Sequence, residues 1–373
     1  MVAIIHKRSW RDFDWILALL AIGIVLFGTV QIRNAQPTEN YWIKQLIGLG
    51  IGLVAMLAIA FTDYRRLLNF APAFYLFGLV LLVIVLIPGF GLRINGQQAW
   101  IKVPGIGQFQ PSEFVKVTTA MMLARYFGKN RVQALSLKEM IVGGLILGLP
   151  IALILLEPDA GSVLTYLPIL AVVLFLSAIK LRLVIAASLI AVVMIPVSYW
   201  VGVKTGFIKG YQQERINVIW DPENADRRRI GYHTWQSMLT VGEGGMFGSR
   251  SSVEHSQSGL KFLPEPHTDF IYAVTAENSG FVGCLLVLLA YVVLLSRLIT
   301  GARRSSDRSG MLFIMAFVGG LTFQIFINIG MALGISPVIG VPLPLMSAGL
   351  ASLSATFIAI GFAISIQLRR FVN

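Results

Sequence analysis

The nine residues FLPEPHTDF, Phe262 to Phe270, close a polar stretch and lead into a mostly apolar run from Ile271 to Ile299. Asp269 therefore falls at the mouth of an expected membrane helix, with Thr268 and His267 just ahead of it and Glu265 four residues back. A carboxylate is costly to keep at a membrane boundary and marks a functional site by default. Chemistry at that depth suits a reactant that reaches the carboxylate from the bilayer and from water together.

Other charges fall where a membrane protein holds few. Glu113 and Lys116 are three residues apart within FQPSEFVK, Phe109 to Lys116, so they share a helix face and can pair. Pro111 suits the first helical position, Ser112 sits near the cap, and the dipole favours Glu113 in the first turn. Such a pair serves equally as a scaffold or as part of a cavity. Glu157-Pro158-Asp159, followed by Gly161, reads as a tight turn, and its two acids are also placed to face a polar cavity. Glu277 lies eight residues beyond Asp269, offset by about 80° around a helix. At that depth it needs a partner or a proton. In YQQERINVIWDP, Arg215 has aromatic and apolar neighbours that would hold its planar fork at an interface, with Arg227, Arg228 and Arg229 downstream. That basic patch suits lipid phosphates or plain solvation.

The elements that must position these residues are membrane helices. The chain has 373 residues, 56% hydrophobic and 13% charged, with a mean hydropathy of +0.76. Ten apolar stretches of roughly spanning length run near 15–32, 43–61, 71–90, 112–127, 139–157, 161–179, 181–203, 269–298, 310–333 and 350–368. The fourth is short and carries charge. The first is longer than the apolar core of a signal peptide and no small-residue cleavage site follows it, so it is expected to stay as a helix. Cys284 is alone, which excludes a disulfide within the chain.

The net charge of +12 follows topology rather than nucleic acid. With the N-terminus inside, seventeen basic residues fall on the cytoplasmic side, from Lys7 and Arg8 to Arg369 and Arg370. Short loops on the other side carry only Arg33, Lys44, Arg93 and Lys102. That asymmetry supports an even number of spans and two cytoplasmic termini. The expectation is one all-α polytopic domain over residues 1–373, with ten transmembrane helices. A large extracytoplasmic loop, about 204–268, separates the seventh from the eighth.

Several motifs resolve into bland readings. Gly48, Gly50 and Gly52 follow no strand, so they fit close helix packing rather than a dinucleotide site. Gly242, Gly244, Gly245 and Gly248 suit a flexible or re-entrant turn. His6, His233, His255 and His267 show no metal-ligand spacing, so no metal site is expected. The two prolines of GVPLPLMSAG, Gly340 to Gly349, prevent a continuous helix and predict a re-entrant or rim loop before the last span.

Taken together, FQPSEFVK, EPDAGS, WDP, GYHTWQS, FLPEPHTDF, AENSG and GVPLPLMS resemble the SEDS family (shape, elongation, division and sporulation), closest to its elongation branch. The resemblance runs from the third span to the last. It implies a ten-helix bundle that polymerises lipid II, a disaccharide on polyprenyl pyrophosphate, beside a class B penicillin-binding transpeptidase and other membrane proteins of the elongation complex. It places the chain in the bacterial plasma membrane, with its site on the extracytoplasmic side. The implied transfer inverts the donor's anomeric carbon, which needs a base and cations rather than a protein nucleophile. Asp269 would be that base and Arg215 a pyrophosphate contact. Glu113, Lys116, Asp159, His267 and Thr268 would shape the cavity. No cofactor is implied, and a divalent cation on the pyrophosphate stays an open alternative.

The sequence departs from the family where Ser347-Ala348-Gly349-Leu350 replaces the usual SYGG and Val241-Gly242-Glu243-Gly244-Gly245 replaces IGSGG. Ala99 stands before Trp100 where arginine is frequent. Two rival classes fit the same charged cavity. A flippase would move a lipid-linked precursor without reacting it, and a scaffold would tolerate charge removal at Asp269.

Overall fold

The computed structural model describes residues 12–94, 96–103, 107–129, 135–177, 197, 200, 202–205, 230–249, 257–260 and 262–370. In chain order its helices begin with α1 (Trp15–Ala35), α2 (Tyr41–Phe61), the short α3 (Tyr64–Asn69) and α4 (Ala71–Leu86). Strands β1 (Gly91–Ile94), β2 (Gln97–Val103) and β3 (Gly107–Phe109) follow. Then come α5 (Pro111–Gly128), α6 (Leu137–Leu156), α7 (Ala160–Leu176), α8 (Ile230–Glu243), α9 (Ile271–Arg303), α10 (Arg308–Ala332) and α11 (Leu350–Leu368). Six of these, α1, α2, α6, α9, α10 and α11, are long and apolar enough to cross a membrane, and α4 and α7 are shorter apolar helices. The expected stretch 181–203 lies almost wholly outside the described residues.

Local chemistry sets the helix ends. Asp14 accepts from Leu17 N at the start of α1 and pairs with Arg297 of α9 at 2.8 Å. Ser136 and Glu139 form a reciprocal capping box on α6. Pro111 opens α5, as its missing N–H allows. Arg369, 2% exposed, donates to Ala60 O and Phe61 O and so caps the end of α2.

Three features correct the sequence expectation. The fold is not purely helical, because β1, β2 and β3 form an antiparallel sheet between α4 and α5. Residues 91–109 are too polar to span and turn at Gly96, with φ +84°, so their backbone groups find partners in one another. The sheet lies over helix ends, with Gln98 donating to Val85 O at 2.8 Å and its backbone N–H to Glu157 O at 3.3 Å. Within the stretch read as loop, α8 is a helix that docks on α10 through Ser237 Oγ to Ala332 O at 2.9 Å.

The third correction is a break in α9 at Gly280, whose φ of 64° and ψ of −166° leave the helical region. The freed N–H groups of Phe281 and Val282 donate to Gly245 O at 2.9 Å and Met246 O at 3.1 Å. In exchange, the freed Glu277 carbonyl accepts from Ser249 N at 2.7 Å. The turn 244–249 is thus spliced into the helix, and the glycines read as a turn are what let two backbones meet. A side chain at Gly244 would run into the Ala276 carbonyl.

Helix packing elsewhere relies on small residues, as expected for Gly48 and Gly52, while Gly50, expected to pack likewise, does not. A Cβ at Gly52 would come within 2.6 Å of the Phe357 ring of α11, whereas Gly50 faces open space. Close approach of this kind is how helices associate where no hydrophobic drive exists.

Candidate functional site

Asp269 is half-buried at the start of α9. Its backbone carbonyl accepts from Asn328 Nδ2 at 2.9 Å, and the same amide donates to Val341 O at 2.8 Å. Two neighbouring carbonyls are also held. Ser347 Oγ donates to Thr268 O at 2.6 Å, and Ala348 N donates to His267 O at 2.8 Å. Ser347 in turn accepts from Leu343 N at 2.8 Å. The rim loop expected from the two prolines therefore grips the HTD segment by its backbone.

That loop also joins Asp269 to α7. A Cβ at Gly340 would lie 3.6 Å from Asp269 Oδ2, and its φ of +75° independently favours glycine. One residue earlier, the Ile339 carbonyl lies against Gly161, close enough that a side chain there would collide with it. Loop residues 339–341 thus bridge the Asp269 carboxylate and the N-terminus of α7.

His267 is buried and stacks on Tyr41 at 3.9 Å between ring centres. Its Nδ1 has no partner among the described residues, and burial holds its pKa below the usual histidine value. It is a neutral, packed ring rather than a cation beside Asp269. Thr268 is half-buried, and its hydroxyl makes long contacts with Glu265, at 3.4 and 3.5 Å.

Glu113 and Lys116 form the pair read from their spacing, at 2.7 Å and almost wholly buried. They line a cavity of about 40 Å³ with Gln324, Thr356, Phe313 and Ile169. That is room for more than one water, and Gln324 Nε2 has no partner among the described residues. Gln324 and Asn328 are four apart on α10, so they share a face. The cavity therefore lies roughly one helical turn, ~6 Å, from the residue that holds Asp269.

Asp159 caps α7 and ties it to α5. It accepts from Ser162 N at 3.0 Å, Ser162 Oγ at 2.6 Å and Gln110 Nε2 at 3.0 Å. Burial raises its pKa, and the Ser162 hydrogen bonds oppose that. Arg215 lies outside the described residues. Asn328, Gln324 and Ser347 were missed by the sequence reading. Polar amides inside an otherwise apolar run were the available signal for the first two.

Glu157, just past α6, is fully buried, and among the described residues neither carboxylate oxygen has a partner. Burial, with Asp159 nearby, pushes its pKa up to about 8. A raised carboxylate pKa makes the folded state bind more protons than the unfolded one, so stability falls as pH rises from about 4.5 to about 8. Glu157→Gln removes that cost, which is on the order of several kcal/mol. The variant should melt well above the parent at pH 8 and close to it at pH 5. Equal melting shifts at both values would show that Glu157 does not titrate between them.

Residues 11–370 match the FTSW_RODA_SPOVE family model, a cell cycle protein. The chain is 34% identical over 370 residues to peptidoglycan glycosyltransferase MrdB of Escherichia coli K12, covering 98% of this chain and 97% of that one. It is 29% identical over 437 residues to peptidoglycan glycosyltransferase RodA of Treponema pallidum, with 97% and 99% covered. Among solved structures, a chain of a peptidoglycan synthase complex that coordinates polymerization and crosslinking superimposes with a TM-score of 0.83. That match is 31% identical and covers 98% of this chain and all of the other. The rod shape determining protein RodA of Thermus thermophilus gives 0.71 at 29% identity, over 98% of this chain and 99% of its own.

Proposed function

The chain belongs to the FtsW, RodA and SpoVE family, and from that premise we propose that it is a peptidoglycan glycosyltransferase, polymerising lipid II during cell elongation. The observation that carries the site assignment is Asp269, a half-buried carboxylate at the start of a membrane helix, with its backbone gripped by Asn328 and its side chain beside Gly340.

In this reading the acceptor's sugar hydroxyl attacks the donor's anomeric carbon as the bond to the pyrophosphate breaks. Asp269 takes the hydroxyl proton, and the pyrophosphate leaves with its added negative charge. One displacement inverts the anomeric centre and needs no covalent enzyme intermediate. Arg215 is proposed to steady the leaving pyrophosphate. Glu113, Lys116 and Asp159 form the wall behind the rim loop, while His267 and Thr268 set the path of the chain into Asp269. No resident cofactor or metal is proposed, and any divalent cation would arrive with the pyrophosphate.

The finer topology is also part of this reading. It has ten spans in the bacterial plasma membrane, both termini cytoplasmic, and Asp269 on the extracytoplasmic side of the large loop. Likeness to a chain of a complex that coordinates polymerization and crosslinking supports a separate transpeptidase partner, here a class B penicillin-binding protein. It should co-purify with this chain in native detergent extracts, and its consistent absence there counts against the partnership.

The test is polymerisation of labelled lipid II by the purified chain, alone and with a candidate transpeptidase. Ladders of glycan are expected. Movement of label across a liposome with no increase in length would favour the flippase instead.

A further inference from the structure

We propose that Glu277 is a positioning residue for Asp269, pinning the outer turn at 257–258 so that the segment between them holds its course. This rests on the reading of Asp269 as the base. Glu277 is fully buried two turns into α9. Its Oε1 accepts from Gln257 N at 2.5 Å, and its Oε2 from Ser258 N at 3.3 Å and Ser258 Oγ at 2.5 Å. Three donors converge on two oxygens, a set that a carboxylate matches and an apolar side chain cannot.

The consequence follows from chain order. The segment that leads into Asp269 leaves the turn at 257–260, passes through 262–268 and enters α9 at Ile271. Glu277 fixes the upstream end of that segment to the helix that begins at its downstream end. The rim loop holds only the last part, through the carbonyls of His267 and Thr268. Asp269 follows directly on the second anchor, so its carboxylate takes its position from a segment that both hold.

Helix continuity does not supply this alignment, because the break at Gly280 separates residues 271–279 from the rest of α9. That short piece is oriented by its neighbours instead. Gln31 of α1 donates to Ser279 Oγ at 3.2 Å and accepts from Asn278 Nδ2 at 3.0 Å. Glu277 contributes twice, with its carbonyl on Ser249 N and its carboxylate on 257–258. One residue thus ties two separate stretches of the outer loop to the piece of helix that carries Asp269.

A misplacement of about 1 Å in a reacting group costs on the order of 100-fold in rate. Glu277→Ala should therefore lower kcat by about 10–100-fold, with KM for lipid II changed less than about twofold. Hydrogen exchange across 257–270 should rise. Glu277→Gln keeps an acceptor for Gln257 N and should be intermediate. Ser258→Ala, a milder loss, covers the case in which Glu277→Ala does not fold, and should cost about 3–10-fold in kcat.

In an Asp269→Asn background, Glu277→Gln should cost nothing further, since no base is left to position. Multiplying losses in that background, or raised exchange with unchanged kcat, would overturn the proposal while leaving the polymerase reading intact. Failure of that reading shows earlier, as absence of glycan from the native chain or near-normal activity of Asp269→Asn alone.

Discussion

Asp269→Asn should leave only residual glycan synthesis while leaving the protein folded, membrane-inserted and bound to its partner. The substitution keeps the side chain's size but removes its capacity to take a proton. The backbone anchor survives the change, because Asn328 holds the backbone carbonyl of residue 269. Loss of a general base commonly costs about 10²–10⁴-fold in rate. Labelled lipid II, incubated with native and variant protein of matched melting temperature, reads this directly. The native activity should also fall on the acid side, where the carboxylate takes up a proton before the hydroxyl can give one. Near-normal polymerisation by well-folded variant protein would end the catalytic assignment and favour transport.

Lys116→Ala should be the most destabilising single change in the membrane-embedded part of the site. It strands Glu113 in a buried position and enlarges the cavity that both line. Breaking a buried pair in this way costs about 3–5 kcal/mol. Replacing the two together, Glu113→Gln with Lys116→Met, removes the stranded charge and should recover much of the loss. Thermal unfolding in detergent separates the three proteins. If stability returns without activity, the pair shapes the cavity as well as the scaffold. A Lys116→Ala protein as stable as the parent would show that the two are not a buried pair.

Local patterns in the sequence carried part of this site and long-range contacts carried the rest. The three-residue spacing of Glu113 and Lys116 dictated their pairing, and the edge of an apolar run placed Asp269 at a helix start. The two prolines after Val341 foretold a rim loop, although not that Ser347 and Ala348 would grip residues 267 and 268. That grip joins positions 79 residues apart, and nothing in the local sequence encodes such a distance. The break at Gly280 was hidden for a related reason. A glycine in an apolar run looks the same whether it packs against a helix or ends one, and only the partner loop at 244–249 distinguishes the two. The small sheet was overlooked because hydropathy weighs how apolar residues 91–109 are, not whether their backbones can pair.

The way α2 is finished has a consequence for how the protein comes into being. Its last carbonyls wait for Arg369, and Ala60 precedes that residue by 309 positions. Gln45 of the same helix waits as long for the Leu345 and Ser347 carbonyls it binds. At ~5–20 residues per second the ribosome needs on the order of 15–60 s to supply them. Through that interval the second helix sits in the bilayer uncapped, with the face that α11 will cover open to lipid. The segment around Asp269 has meanwhile emerged without the residues that grip its backbone. The site does not mature by degrees as the helices insert, but closes late, when the rim loop and the helix behind it emerge, so a chain cut just short of residue 340 has every charged residue of the site without the loop that grips it.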